Sequence, residues 1–331
     1  MYNFWGLCTF TQNNQVLTFE QITENEKLWA VRYDGCLDNV LDSILEQWND
    51  VVWLRDFFKA NLEDLASYFK ITDVNQAIYD TIEDSEKLQC LIMDISPDAN
   101  LDVVFRPLDN NRTSEMLLGK GKARLHNTPR HASWLRIYAI KLEPGIYVIT
   151  GGAIKLTRTM QEREHTLVEL ARMEKVRRFM LDNDITDKDS FNDYQKEIRK
   201  EVSMKTHEEI ISKLKAHQSP TPSKWRENAE WRRKNRTWLC YSQHIAMMML
   251  DKMEALHMSQ KQLAELMGCS QQYVSKVLKG QENLSLETIS KIESCLNLQI
   301  MPTSLYPHTY VTDTEDEGST MVAEDVAEYG K

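Results

Sequence analysis

The spacing of apolar positions changes several times along the chain, and each change marks an element. Residues 26–34 (EKLWAVRYD) alternate apolar and polar side chains, which predicts a strand. From Leu37 to Phe69 the period becomes helical. Val40, Ile44 and Trp48, then Leu54, Phe57, Phe58 and Leu62, predict two helices or one broken helix. A further helix is predicted from Asp73 to Leu91, with Ala77, Ile78, Ile82 and Leu88 on its apolar side. Strands follow at Leu101–Arg106, ended by Pro107 and Asp109-Asn110-Asn111, at Trp134–Leu142 and at Ile146–Leu156. Glu143-Pro144-Gly145 between the last two is a hairpin signal. Helical spacing resumes at Glu164 with Leu167, Leu170, Met173, Val176, Phe179 and Met180. This first part reads as α+β: helices, an antiparallel sheet, then a closing helix.

Asp182–Asp189 is a polar break. Thr206-His-Glu-Glu209 is a capping-box pattern opening a short helix over 207–216, and Gln218-Ser-Pro-Thr-Pro-Ser223 reads as a linker. From Lys224 to about Leu298 the chain is helical. The expected organisation is an α+β domain over 1–203, a linker with a short helix over 204–223, an all-α domain over 224–302 and an acidic tail over 303–331. Trp225, Trp231 and Trp238, just after the linker, serve either as a clamp on the first domain or as core of the second.

Within the helical part, Gln260–Lys279 reads QKQLAELMGCSQQYVSKVLK. A helix-turn-helix needs a small residue where its helices cross, a residue tolerating the tight turn, and apolar residues locking the pair. Ala264, Gly268 and the set Leu263, Met267, Val274 and Val277 meet these needs. Ser259 with Gln262 forms a capping box, and Ser270 caps the second helix. The candidate DNA-binding residues are Gln260, Ser270, Gln271, Gln272, Ser275, Lys276, Lys279 and Asn283. A Gln amide both donates to and accepts from adenine in the major groove, while Lys276, Lys279 and Asn283 suit phosphates. The stretch 244–300 resembles the lambda-repressor-like helix-turn-helix family of repressors and antitoxins. That resemblance implies operator DNA as partner and a homodimer on two half-sites.

Composition narrows the classes. The chain has 331 residues, 42% hydrophobic and 27% charged, with a net charge of −10. No apolar run approaches the ~20 residues of a membrane span, and no signal sequence opens it. Six scattered cysteines without CxxC or zinc spacing predict free thiols, no metal and a cytoplasmic location. No cofactor is called for. The charge is segregated: −12 over residues 1–100, +4 over 101–203, +4 over 204–310 and −6 over 311–331. Basic segments between acidic ends suit polyanion partners.

The basic residues of the first domain gather around its sheet. Lys120, Lys122, Arg124, His126, Arg130 and His131 precede the strand at 134–142, and Lys155 and Arg158 end the next. Alternation puts Trp134, Arg136 and Tyr138 on one face, expected to be open, and Leu135, Ile137 and Ala139 against the helices. A cationic face with aromatic platforms suits RNA and its cleavage at a 2′-hydroxyl. Arg136 and Arg158 are the candidate phosphate clamps, Lys122 or His126 the base or acid, and Tyr138 the stacking residue.

The order of elements, with the hairpin LRIYAIKLEPGIYVITGGAIKLT, resembles the RelE/ParE superfamily of toxins and its HigB-like members. That resemblance implies metal-independent, ribosome-dependent mRNA cleavage. It places the family's basic residue on Arg136, supported by Lys122, Arg124, Lys155 and Arg158. A HigB-like toxin followed by a HigA-like antitoxin implies a fused toxin–antitoxin with an intramolecular contact between its halves and no membrane partner. Two alternatives stand beside it: a transcription regulator whose toxin-like domain is an inactive ligand- or protein-binding module, and a gyrase-directed ParE-type toxin.

Overall fold

The computed structural model describes residues 17–33, 35–95, 98–108, 118–125, 131–142, 145–204 and 225–302. His126, the segment 207–216, the linker residues 218–223 and the acidic tail from 303 lie outside the described residues.

The front helices begin where short polar side chains cap them. Asn39 accepts from Leu41 N and Asp42 N to start α1 (Val40–Gln47), and Asp50 accepts from Val52 N and Trp53 N to start α2 (Val51–Ala60). A short α3 (Leu62–Asp64) runs into a π turn at Leu65–Phe69. Asp73 caps α4 (Val74–Met93).

Six strands form one sheet: β1 (Thr18–Gln21), β2 (Leu28–Arg32), β3 (Arg106–Pro107), β4 (Gly119–Ala123), β5 (Leu135–Leu142) and β6 (Ile146–Ile154). Their order is β1-β2-β6-β5-β4-β3. The predicted β5–β6 hairpin is present, pairing Leu135 with Ile154 and Leu142 with Ile146. The sheet is mixed rather than antiparallel, because β2 runs parallel to β6. The strand predicted at 101–106 is instead a 3₁₀ turn at Leu101–Val103 and two paired residues, Arg106 and Pro107. Tyr147 explains the turn: its hydroxyl donates to Asp102 Oδ1 at 2.5 Å, and its ring stacks on Phe105.

Both faces of the sheet are covered, and two adjacent glycines show how. Neighbouring residues on a strand point to opposite faces. A Cβ on Gly152 would meet Ile44 of α1 at 3.0 Å, and a Cβ on Gly151 would meet Oε2 of Glu169 at 1.7 Å. Glu169 lies on α5 (Glu164–Asp182). Helices α1, α2 and α4 therefore occupy one face and α5 the other, where Tyr138, Ala153, Met160 and Met173 form a separate apolar cluster. Of the predicted α5 stripe, Met173, Val176 and Met180 are buried, whereas Leu167 is exposed. The next helix, α6 (Lys188–Met204), packs Phe191 against Phe19 and Trp29 at the β1–β2 side.

The chain resumes in a 31-residue helix, α7 (Trp225–Ala255), about 46 Å long at 1.5 Å per residue. It serves two cores. Trp225, Ala229, Ala246 and Met247 are buried with the sheet module, while Ile245, Met249 and Met253 pack with α8 (Gln260–Met267), α9 (Gln271–Leu278) and α10 (Leu286–Leu296). Cys90, Cys240, Cys269 and Cys295 are free. Cys36 is disulfide-bonded, which corrects the expectation of free thiols throughout.

Candidate nucleic-acid interfaces

The helix-turn-helix is built from local signals that all agree. Ser259 and Gln262 form a reciprocal capping box at the start of α8, and Gly268 ends that helix in the left-handed region at φ 64°. Two residues on, Ser270 accepts from Tyr273 N at 3.1 Å and opens α9. Ala264 is buried where the helices cross, with Leu263, Met267, Val274 and Val277 around it. Ser285 caps α10 in the same manner.

The recognition helix then presents Gln271, Gln272 and Lys276 to solvent in its first two turns; Ser275 and Gln260 are half-buried, and Ser270 and Asn283 are exposed. Backbone N–H groups at a helix start attract phosphate oxygens, and an exposed Gln amide both donates and accepts hydrogen bonds. Lys276 is only loosely paired, 3.9 Å from Glu282. Lys279 is engaged elsewhere, 3.2 Å from Asp50 of the sheet module.

A second cationic group lies on the sheet where β4, β5 and the end of β6 meet. Arg136 donates through Nη1 to the carbonyls of Ser133 and Leu135, both at 2.7 Å. Lys155 donates to the carbonyls of Thr157 and Arg158 at 2.5 Å. Lys122 pairs across the strands with Tyr138 and donates to Leu108 O at 2.9 Å. Burial pushes the Arg136 guanidinium down to about 10, with Arg124 adding repulsion. Burial also lowers Lys155, helped by Arg136 and Lys122 and opposed by the Glu162 carboxylate. Arg136 thus feels the charge of Arg124, and Lys155 those of Arg136 and Lys122, while Arg158 is exposed. Arg136 and Lys155 make no ion pair with a carboxylate among the described residues. Cations oriented by neutral carbonyls keep their charge for an external anion.

The expectation of an open face needs correction. Tyr138 is 1% exposed, beneath α5 with Met160 and Met173, so its ring does not present a stacking surface. Burial, partly opposed by Arg136, raises its hydroxyl. Trp134 lies on the opposite side, against Phe58 and Phe69, with its Nε1 donating to Thr81. It precedes β5, so strand alternation does not govern it. His131 stacks on Trp134 at 4.2 Å, near the carboxylates of Asp80 and Asp84. Leu135, Ile137 and Ala139 are buried, and all three share the core with the front helices.

Sequence reasoning missed Glu169. It is 1% exposed, with Oε1 2.8 Å from Arg172 and Oε2 in the space a Gly151 side chain would take. Desolvation pushes its carboxyl up to about 7. The Gly151-Gly152 pair inside a strand was the available signal, since such glycines mark close approach.

The two modules meet along α7. Arg55 of α2 reaches Asp251 at 2.6 Å and Glu254 at 2.7 Å, and Lys59 also bonds Glu254. Those two cations hold the Glu254 carboxyl down at about 2. Arg236 pairs with Glu86, Tyr79 with His244, and Trp225 donates to Ile22 O. Trp225 thus clamps the sheet module, whereas Trp231 and Trp238 pack edge to face on each other, with Trp231 exposed.

A family model described as Helix-turn-helix matches residues 250–300. No curated protein and no solved structure matches the chain. Residues 250–300 are a DNA-binding helix-turn-helix, of the class that regulates transcription. No helix among the described residues is long and apolar enough to cross a membrane.

Proposed function

We propose that the chain is a toxin–antitoxin module in one polypeptide. In this reading the sheet module cleaves mRNA on the ribosome without a metal, and the helix-turn-helix part restrains it in cis and represses transcription from operator DNA as a homodimer. The observation that carries the RNA half is the cation group of Arg136 and Lys155, held by main-chain carbonyls rather than by carboxylates. Such a group stabilises the crowded phosphate formed when a 2′-hydroxyl attacks it. Lys122 stands beside them as the proton-transfer candidate, with Arg124 and Arg158 as further phosphate contacts. The restraint rests on the ion pairs of α7 with α2 and α4, since a tethered partner acts at an effective concentration of order mM.

A second reading is supported by one feature. Tyr138 is buried beneath α5, which favours a transcription regulator whose sheet module is catalytically silent. Growth distinguishes the two. Asp251→Lys with Glu254→Lys in the full chain sets like charges against Arg55 and Lys59 at exposed positions. The toxin reading expects slowed growth on induction, restored by adding Arg136→Ala. Wild-type growth of the folded double variant would leave the regulator reading standing.

A further inference from the structure

The C-terminal end of the recognition helix is held by the sheet module. Lys279, the residue that closes α9, lies 3.2 Å from Asp50, and its carbonyl accepts from Val51 N at 3.3 Å. The chain then passes through Gly280 at φ 75°, where a Cβ would stand 2.9 Å from Gln243 and 3.0 Å from Val51 Cγ2. Gln281 Nε2 reaches Asn49 O at 3.5 Å, and Val52 packs against the helix-turn-helix core. The corner between α1 and α2 is therefore seated on the exit of the recognition helix. A bulkier residue than glycine at position 280 would not allow that fit.

This corner has an electrostatic consequence. Lys279 belongs to the set placed for phosphate contacts, yet its ammonium is opposite a carboxylate of the other module. The Asp50 side chain is 16% exposed and fixed, because it also accepts from Val52 N and Trp53 N as the α2 cap. A lysine bound to a fixed carboxylate cannot neutralise a phosphate without giving up that partner, and the carboxylate left behind repels the same phosphate.

We propose that the Asn49–Val51 corner is an autoinhibitory clamp on the DNA-binding surface: Asp50 withholds Lys279 from the DNA backbone and lowers the affinity of the intact chain. The inference rests on DNA binding by the helix-turn-helix and not on the activity of the sheet module. It makes the seating of one module a control on the other's grip on DNA.

The test uses the full-length chain and a 30-base-pair duplex of mixed sequence, read by fluorescence anisotropy across a salt series. Asp50→Asn keeps an N-cap acceptor, so α2 remains capped, and removes only the charge. Wild-type binding in the same titration reports on the DNA-binding reading itself. One regained phosphate contact steepens the log–log salt slope by about 0.9, which at 0.1 M salt corresponds to about 8-fold tighter binding relative to 1 M. The clamp requires that gain in Asp50→Asn and its disappearance when Lys279→Gln is added. An unchanged slope and affinity in an Asp50→Asn chain that melts like wild type would overturn it. So would a gain that persists with Lys279→Gln, which would assign the effect to general repulsion by Asp50.

Discussion

Glu169 permits a quantitative test of how α5 is fixed to the sheet. Its carboxylate is buried against Gly151, and the loss of water pushes it from 4.5 up to about 7 in spite of Arg172. An acid whose folded pKa is raised binds its proton more tightly in the native state. Its contribution is fully favourable below the unfolded value and is lost as pH rises from about 4.5 through about 7. A shift of about 2.5 units at 1.36 kcal/mol per unit makes the carboxylate cost about 3 kcal/mol above pH 7. Glu169→Gln keeps the shape and removes the titration. Whatever constant offset the lost Arg172 ion pair introduces, the stability difference between variant and wild type should move in the variant's favour by about 3 kcal/mol between pH 4 and pH 8. Urea melts followed by tryptophan fluorescence at half-unit pH steps measure this. Parallel stability curves for the two proteins would refute the argument, because they would mean that Glu169 is ionised or hydrated much as in the unfolded chain.

Three further outcomes follow from the packing. Gly151→Ala should destabilise the fold, because its Cβ would stand 1.7 Å from Oε2 of the buried Glu169 and force that carboxylate to move, and Glu169→Ala should relieve most of the loss in a double-mutant cycle of urea melts. Ser270→Ala should cost about 1 kcal/mol by removing the cap on Tyr273 N, and should weaken DNA binding in anisotropy titrations. Trp225→Ala should cost about 3–5 kcal/mol in calorimetry and lower the transition of the sheet module, even though the residue begins the helix that leads into the helix-turn-helix.

The elements most legible in the sequence are those whose causes are local. Ser259, Gln262, Gly268 and Ser270 act within one turn of themselves, so the helix-turn-helix could be drawn residue by residue from its string of letters. The β5–β6 hairpin was legible for the same reason, its paired ends Leu142 and Ile146 being close neighbours in sequence. The parallel pairing of β2 with β6 joins residues more than 100 positions apart, and nothing at Leu28 or Tyr147 announces it. Strand β4 (GKGKA) escaped notice because glycine and lysine carry no strand preference; pairing on both sides makes it a strand. Alternation correctly separated Arg136 and Tyr138 from Ile137, yet it tells only which residues share a face. Whether a helix covers that face depends on α5 returning across the sheet, and only Gly151 hinted at it. The cation group was legible by composition, whereas the seating of Asp50 on Lys279 depends on the docking of two modules and left no mark in either segment.

Ribonuclease activity of the sheet module is read most directly with purified protein in a translation reaction, by mapping new 5′ ends on ribosome-bound mRNA. Three chains are compared: wild type, Asp251→Lys with Glu254→Lys, and the same pair with Arg136→Ala. A restrained ribonuclease gives nucleotide-specific cleavage by the charge-reversed chain, little by wild type, and none once Arg136 is removed. Intact mRNA with all three folded proteins would contradict it and leave the chain a DNA-binding regulator with a silent sheet module.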